Sequence, residues 1–288
     1  MRMQLRTAAM VIISGLFSTL AYAGKITPKV IYGDDNRRDY FEVPDARWRE
    51  RADATVALIR SASLDPAGGL TNIKTVSYGQ GMGLCSSEPF YEQETAAFCS
   101  GFLVSPDTIV TAGHCVRTQQ SCDSTKFVFG FKLSTSGTQP RAVPNTMVFN
   151  CAQLVHSVAN ANGEDFAVVK LDRPVTHVAP LTFRTTGLPG VDDALVVIGH
   201  PAGLPLKVAD GASVRKLMPE FLVANLDTYG GNSGSAVLNG VTGEVEGVLV
   251  RGEMDFVYKN GCRVSNRCDA AGCRGEDVTL FERVRPHL

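Results

Sequence analysis

Long apolar runs are scarce in this sequence, and the one near its start, Ala8 to Leu20, falls short of the ~20 residues that a membrane-crossing helix requires. No cluster of Lys and Arg of the kind that tracks phosphates is present. A formal net charge of −1 likewise favours neither nucleic acid nor an anionic membrane as partner. No two cysteines have the Cys-x-x-Cys spacing on which zinc sites are commonly built, so neither a metal nor another cofactor is expected. Strands alternating with long helical periods are missing, as is any internal repeat at a fixed period. Wound α/β sheets and solenoids are thereby set aside.

What is present is an ordinary globular mixture, 44% hydrophobic and 20% charged over 288 residues, enough for one large or two small domains. The first 23 residues differ from the rest. Arg2 and Arg6 precede the apolar run, and Ala21-Tyr22-Ala23 sets small residues at the two positions a signal peptidase reads. A signal peptide over 1–23, cleaved after Ala23, is expected, and the product is secreted or periplasmic and free of the membrane. Eight cysteines lie beyond it: Cys85, Cys99, Cys115, Cys122, Cys151, Cys262, Cys268 and Cys273. An even number in an exported chain points to disulfides rather than thiols.

Apart from a short helix expected over Asp45 to Asp53, where Trp48 would pack, the pattern is one of strands. Thr55 to Arg60, Phe98 to Ser105, Lys126 to Leu133, Phe166 to Leu171, Ala194 to Gly199, Ser235 to Leu238 and Glu244 to Arg251 are short runs rich in Val, Ile, Leu and Phe. Gly, Pro, Asn or Asp clusters separate most of them, which predicts an all-β sandwich or barrel. A seam at Asp172-Arg173-Pro174 divides a first half, 55–172, from a second, 173–288, with 24–54 as an amino-terminal segment, in part a candidate propeptide.

Three segments could carry chemistry. His114 ends a strand-like run beside Cys115, Asp165 precedes the apolar run Phe166 to Leu171, and Ser233 sits among small residues in Gly230-Gly231-Asn232-Ser233-Gly234-Ser235. Each alone also has a plain reading, as a half-buried histidine, a turn aspartate and a loop serine. Together they offer a hydroxyl that needs a base, an imidazole whose ordinary pKa of about 6.5 suits that role, and a carboxylate to hold its tautomer.

These segments resemble those of the chymotrypsin-like serine peptidases, and more closely the bacterial V8-like, glutamyl endopeptidase branch. Thr111-Ala112-Gly113-His114-Cys115 is similar to the family's histidine motif, and Asp165 to Leu171 to its aspartate strand. Gly231 to Ser235 is similar to its nucleophile loop, in the Asn-containing form. Val30-Ile31-Tyr32-Gly33-Asp34-Asp35 looks like the start of mature V8-like enzymes. The resemblance implies two antiparallel six-stranded β-barrels with the active site in the cleft between them. His114 and Asp165 would come from the first barrel and Ser233 from the second. It further implies a monomer that takes polypeptide substrates, an oxyanion hole from the N–H groups of Gly231 and Ser233, and a disulfide between Cys99 and Cys115. Cys122 with Cys151 follows from order alone, and the other four cysteines leave three pairings open.

Two departures matter. Where trypsin-type enzymes have an Asp before the nucleophile to receive a freed amino terminus, this chain has Asn232, so activation by that ion pair is not expected. Asp227, six residues before Ser233, matches the pocket Asp that binds Arg or Lys, with Val250 and Gly252 as further substrate-binding residues. Asp227 is also readable as a structural turn. Acid-specific relatives use a His on the strand after the nucleophile; Gly247 to Gly252 has none, although Arg251 could offer a cation. The expected activity is thus a serine endopeptidase cutting after Arg or Lys. A glutamyl endopeptidase and a non-catalytic, partner-binding homologue are the alternatives.

Overall fold

Runs of β-branched and aromatic residues broken by turn formers become two rings of strands in a computed structural model that describes residues 30–288. The expected signal peptide lies outside the described residues. The first ring comprises β1 (Thr55–Arg60), β2 (Cys99–Ser105), β3 (Thr108–Thr111), β4 (Thr125–Phe129), β5 (Val148–Ala159) and β6 (Asp165–Leu171). Their order is β4-β5-β6-β3-β2-β1, and β1 pairs back onto β4. The second comprises β7 (Ala194–Gly199), β8 (Lys207–Leu217), β9 (Phe221–Ala224), β10 (Ala236–Asn239), β11 (Val245–Arg251) and β12 (Glu276–Leu280). Their order is β7-β10-β11-β12-β9-β8, closed by pairing of β7 with β8. Closure leaves no unpaired edge within either ring. The two six-stranded antiparallel barrels are those of the chymotrypsin fold.

β11, a strand of the second ring, faces two cores. Leu249 points into the second-barrel core with Leu195, Val214 and Val278, whereas Val248 and Val250 point the other way, into the core that holds Phe102, Phe166 and Phe281. Alternation along one strand therefore welds the two barrels, at roughly 1.5–3 kcal/mol for each large side chain buried.

Residues 30–54 are built into this body. Val30 and Ile31 are fully buried. The short strand Arg37–Asp39 pairs with β8, setting Asp39 opposite Lys207. Asp45 caps the helix Ala46–Asp53 by accepting the Arg47 N–H, and Trp48 turns inward.

The run expected to extend to Leu133 stops at Phe129, because the chain turns at Gly130. The long strands β5 and β8 were not anticipated, and their pairings carry bulges. Four disulfides tie the fold: Cys99–Cys115, Cys122–Cys151, Cys85–Cys262 and Cys268–Cys273. Among the described residues no helix is long and apolar enough to cross a membrane.

Candidate active site

β3 ends at Thr111, and three residues on the chain delivers His114 against the start of β6. The His114 N–H donates to Asp165 Oδ1 at 3.1 Å, and its Nδ1 lies 2.7 Å from Asp165 Oδ2. One carboxylate thus fixes both the backbone and the ring of His114. Beside an ionised carboxylate, Nδ1 carries the proton and donates it, which leaves the Nε2 lone pair as the basic site. Asp165 is 4% exposed. Its own backbone is held by Thr279 of β12, whose hydroxyl accepts the Asp165 N–H and donates to the Asp165 carbonyl.

The loop between β9 and β10 carries Ser233, 7% exposed. The Ser233 carbonyl accepts the Ser100 N–H at 2.8 Å and lies 3.7 Å from Cys115 Sγ, so the loop rests on the Cys99–Cys115 bridge beside His114. Gly231 has φ of +96°, and a Cβ there would meet the His200 carbonyl at 2.6 Å, so no other residue fits this turn. Asn232 is buried and accepts from Ser235 Oγ within its own loop. Cys99, His114 and Cys115 bring potential metal-ligating atoms together, but both sulfurs are consumed in the disulfide.

The residues expected to line the substrate pocket are not gathered there alike. Asp227 is 4% exposed, and its oxygens accept the N–H groups of Tyr32 at 2.8 Å and Asn36 at 2.9 Å. Burial pushes its carboxyl up to about 6, against those amides. It clamps the amino-terminal segment to the loop that bears Ser233. Val250 is buried in the core between the barrels. Gly252 follows β11 with the Glu276 carboxylate against it. Arg251 is neither solvated nor offered to a substrate: Nε donates to Asp277 at 3.1 Å, Nη1 to the Asn160 carbonyl at 2.9 Å and Nη2 to the Gly163 carbonyl at 2.7 Å. Its Nη1 also lies 3.9 Å from Asp165 Oδ2.

The other histidines have structural surroundings. His200 is buried and shares Nδ1 with the Leu204 carbonyl, His156 stacks with His287, and His177 packs on Phe129. Thr279 and Glu276 were missed in the sequence. Arg274-Gly275-Glu276-Asp277 reads as a charged loop, yet Glu276 is fully buried.

A model of the trypsin-like peptidase domain matches residues 99–248, a span that includes His114, Asp165 and Ser233. The secreted RxLR effector protein 73 of Plasmopara viticola is 29% identical over 157 residues, covering 49% of this chain and 38% of that protein. An extracellular metalloprotease of Bacillus subtilis (strain 168) is 28% identical over 174 residues, covering 58% of this chain and 55% of that protein. The chain spans little more than half the length of these curated relatives, or less. A solved structure of a Glu endopeptidase superimposes with a TM-score of 0.51 over 89% of this chain and 96% of that one. At 20% identity that likeness is one of fold.

Proposed function

The chain belongs to the trypsin-like peptidase family, and from that premise we propose that it is an exported serine endopeptidase whose catalytic groups are His114, Asp165 and Ser233. The observation that carries this reading is the double hold of Asp165 on His114, set beside the loop that bears Ser233.

In the reaction, His114 Nε2 takes the Ser233 Oγ proton as the oxygen attacks the scissile carbonyl. The carbonyl oxygen gains the negative charge, and the N–H groups of Gly231 and Ser233 receive it. As the C–N bond breaks, His114 returns the proton to the leaving amine, and an acyl-enzyme remains. Water, deprotonated by the same imidazole, then releases the acid. Asp165 keeps its charge throughout and stabilises the imidazolium. Export is supported by the four disulfides and by relatives whose names place them outside the cell. An acid-specific pocket built on Arg251 finds no support, since that guanidinium is committed to Asp277 and two carbonyls.

A fluorophosphonate probe with a peptidase assay tests the reading. Wild type should be labelled and active, while Ser233→Ala should be unlabelled and lose ~10⁶ in turnover with its urea midpoint preserved. Labelling of the folded Ser233→Ala protein, or comparable peptidase activity from it, defeats the assignment.

A further inference from the structure

Ser100 lies on β2, fully buried, and the reaction as described makes no use of its side chain. Its Oγ accepts the His200 N–H at 2.9 Å and donates to the Gly231 carbonyl at 2.8 Å. Its backbone N–H donates to the Ser233 carbonyl at 2.8 Å, and its own carbonyl accepts from Thr111 Oγ1 at 2.7 Å. Every polar group of this residue is engaged. Two of them hold the carbonyls of Gly231 and Ser233, whose N–H groups are the oxyanion donors proposed above.

The turn that begins at His200 completes the hold. The Ala202 N–H donates to the Gly230 carbonyl, and the His200 carbonyl accepts the Gly203 N–H at 3.0 Å. A trans peptide points its N–H away from its C=O, so fixing the Gly230 carbonyl on Ala202 fixes the direction of the Gly231 N–H. Fixing the Gly231 carbonyl on Ser100 sets the next peptide plane. Between those two planes Gly231 is kept at its φ of +96°. Without such anchors a glycine backbone is free to rotate, because no Cβ limits it.

We propose that Ser100 is a positioning residue, whose hydroxyl keeps the Gly231 and Ser233 N–H groups aimed at the substrate oxygen that gains charge. The proposal rests on the peptidase reading above. Donors set in advance stabilise that charge without rearranging during the reaction, and their misalignment is felt in the transition state more than in substrate binding. With the hydroxyl gone, the buried Gly231 carbonyl and His200 N–H lose this partner, and such groups turn toward others. Rotation of the Gly231 peptides carries the N–H away from the oxyanion. The hydroxyl bonds to the loop and to the His200 turn, so the basicity of His114 should stay as it is.

Ser100→Ala removes only the oxygen. On a peptide amide it should lower kcat by ~10–100-fold and change KM by less than ~threefold, with the acid limb of the kcat/KM profile unmoved. A peptidyl trifluoromethyl ketone, whose adduct with Ser233 carries an oxyanion, should lose affinity by the same factor as kcat/KM. Urea titration establishes that the protein is fully folded in the assay. A folded Ser100→Ala protein with the kcat and ketone affinity of wild type overturns the proposal, as does one whose loss lies in KM alone. Should Ser100→Ala not fold, Ser100→Gly, which lacks the same oxygen, is judged by the same criteria. Fluorophosphonate labelling separates the two failures: an unlabelled wild type defeats the peptidase reading, and a labelled one whose turnover survives loss of the hydroxyl defeats this proposal alone.

Discussion

The hydroxyl of Thr279, on the last strand of the second barrel, accepts the Asp165 N–H at 3.2 Å and donates to the Asp165 carbonyl at 3.1 Å. One side chain from one barrel thereby sets the backbone of the carboxylate in the other. Thr279→Val keeps the shape and removes the hydroxyl, leaving two buried backbone groups without that partner. Urea unfolding should report a loss of about 1–3 kcal/mol. Displacement of Asp165 by even a fraction of an ångström should lower kcat by ~10-fold or more with little change in KM. Thr279→Ser should restore most of both.

Arg251 acts on the same carboxylate from another side. Its planar fork ties the Asn160 and Gly163 carbonyls, on the loop before Asp165, to Asp277. Lysine has no fork and cannot reproduce those three bonds together. Arg251→Lys and Arg251→Met should therefore both lose ~5–50-fold in kcat, with Lys recovering little of the loss. Steady-state assays on protein shown to be fully folded by urea titration check this; full activity in Arg251→Lys is incompatible with a positioning role for the fork.

Much of the candidate site was legible in the sequence because the residues proposed for it sit in distinctive local contexts. Glycines and small residues around Ser233, and a strand end before His114, are written in adjacent positions. The barrel strands were visible where both faces are largely buried, as in β6 and β7, which carry the apolar runs Phe166–Val169 and Ala194–Ile198. β5 was hidden, since Asn150, Gln153 and His156 interrupt its apolar pattern along a largely solvent-facing strand. The contacts of Asp227 and Arg251 were hidden for one shared reason. Their partners, Tyr32 and Asn36 for one and Asp277 with two carbonyls for the other, lie 26 to 195 residues away. Spacing along the chain carries no trace of them. Glu276 was passed over because a charge between Gly275 and Asp277 looks like surface until the fold buries it.

Lys207 offers a second test of buried charge, away from the cleft. Its ammonium donates to Asp39 at 2.6 Å, to Gln93 at 2.8 Å and to the Pro205 carbonyl at 3.0 Å, so all three protons are used. Gln93 in turn donates to the other Asp39 oxygen at 2.7 Å. Burial pulls the ammonium down to about 8, and Asp39 holds it up against that pull. Removing one charge strands the other, so Lys207→Met and Asp39→Asn should each cost about 3–5 kcal/mol. The double variant should be much more stable than the sum of the two losses implies, and a double-mutant cycle by urea unfolding measures that coupling.

His200 makes stability depend on acid in a way that the whole protein conceals. It is 1% exposed, its Nδ1 lies 3.0 Å from the Leu204 carbonyl, and its Nε2 meets no hydrogen-bond partner among the described residues. A second proton would place an unpaired charge in the interior, and burial holds the imidazole down to about 4 from its usual 6.5. The unfolded chain therefore takes up that proton first. Stability from this residue is complete above about pH 6.5 and drains away as the pH falls toward 4, by about 3 kcal/mol in all. Asp227 runs the other way. Its folded carboxyl titrates near 6 against the usual 3.8, so its contribution falls as the pH rises through the same interval and flattens the net profile. Substitution separates the two. The stability of wild type minus that of His200→Phe, from urea unfolding at pH 7, 5.5 and 4.5, should decline steadily as the pH is lowered. A difference that stays constant across that range would mean that His200 gains its proton as easily inside the fold as outside it, which a buried ring with a bare Nε2 does not allow.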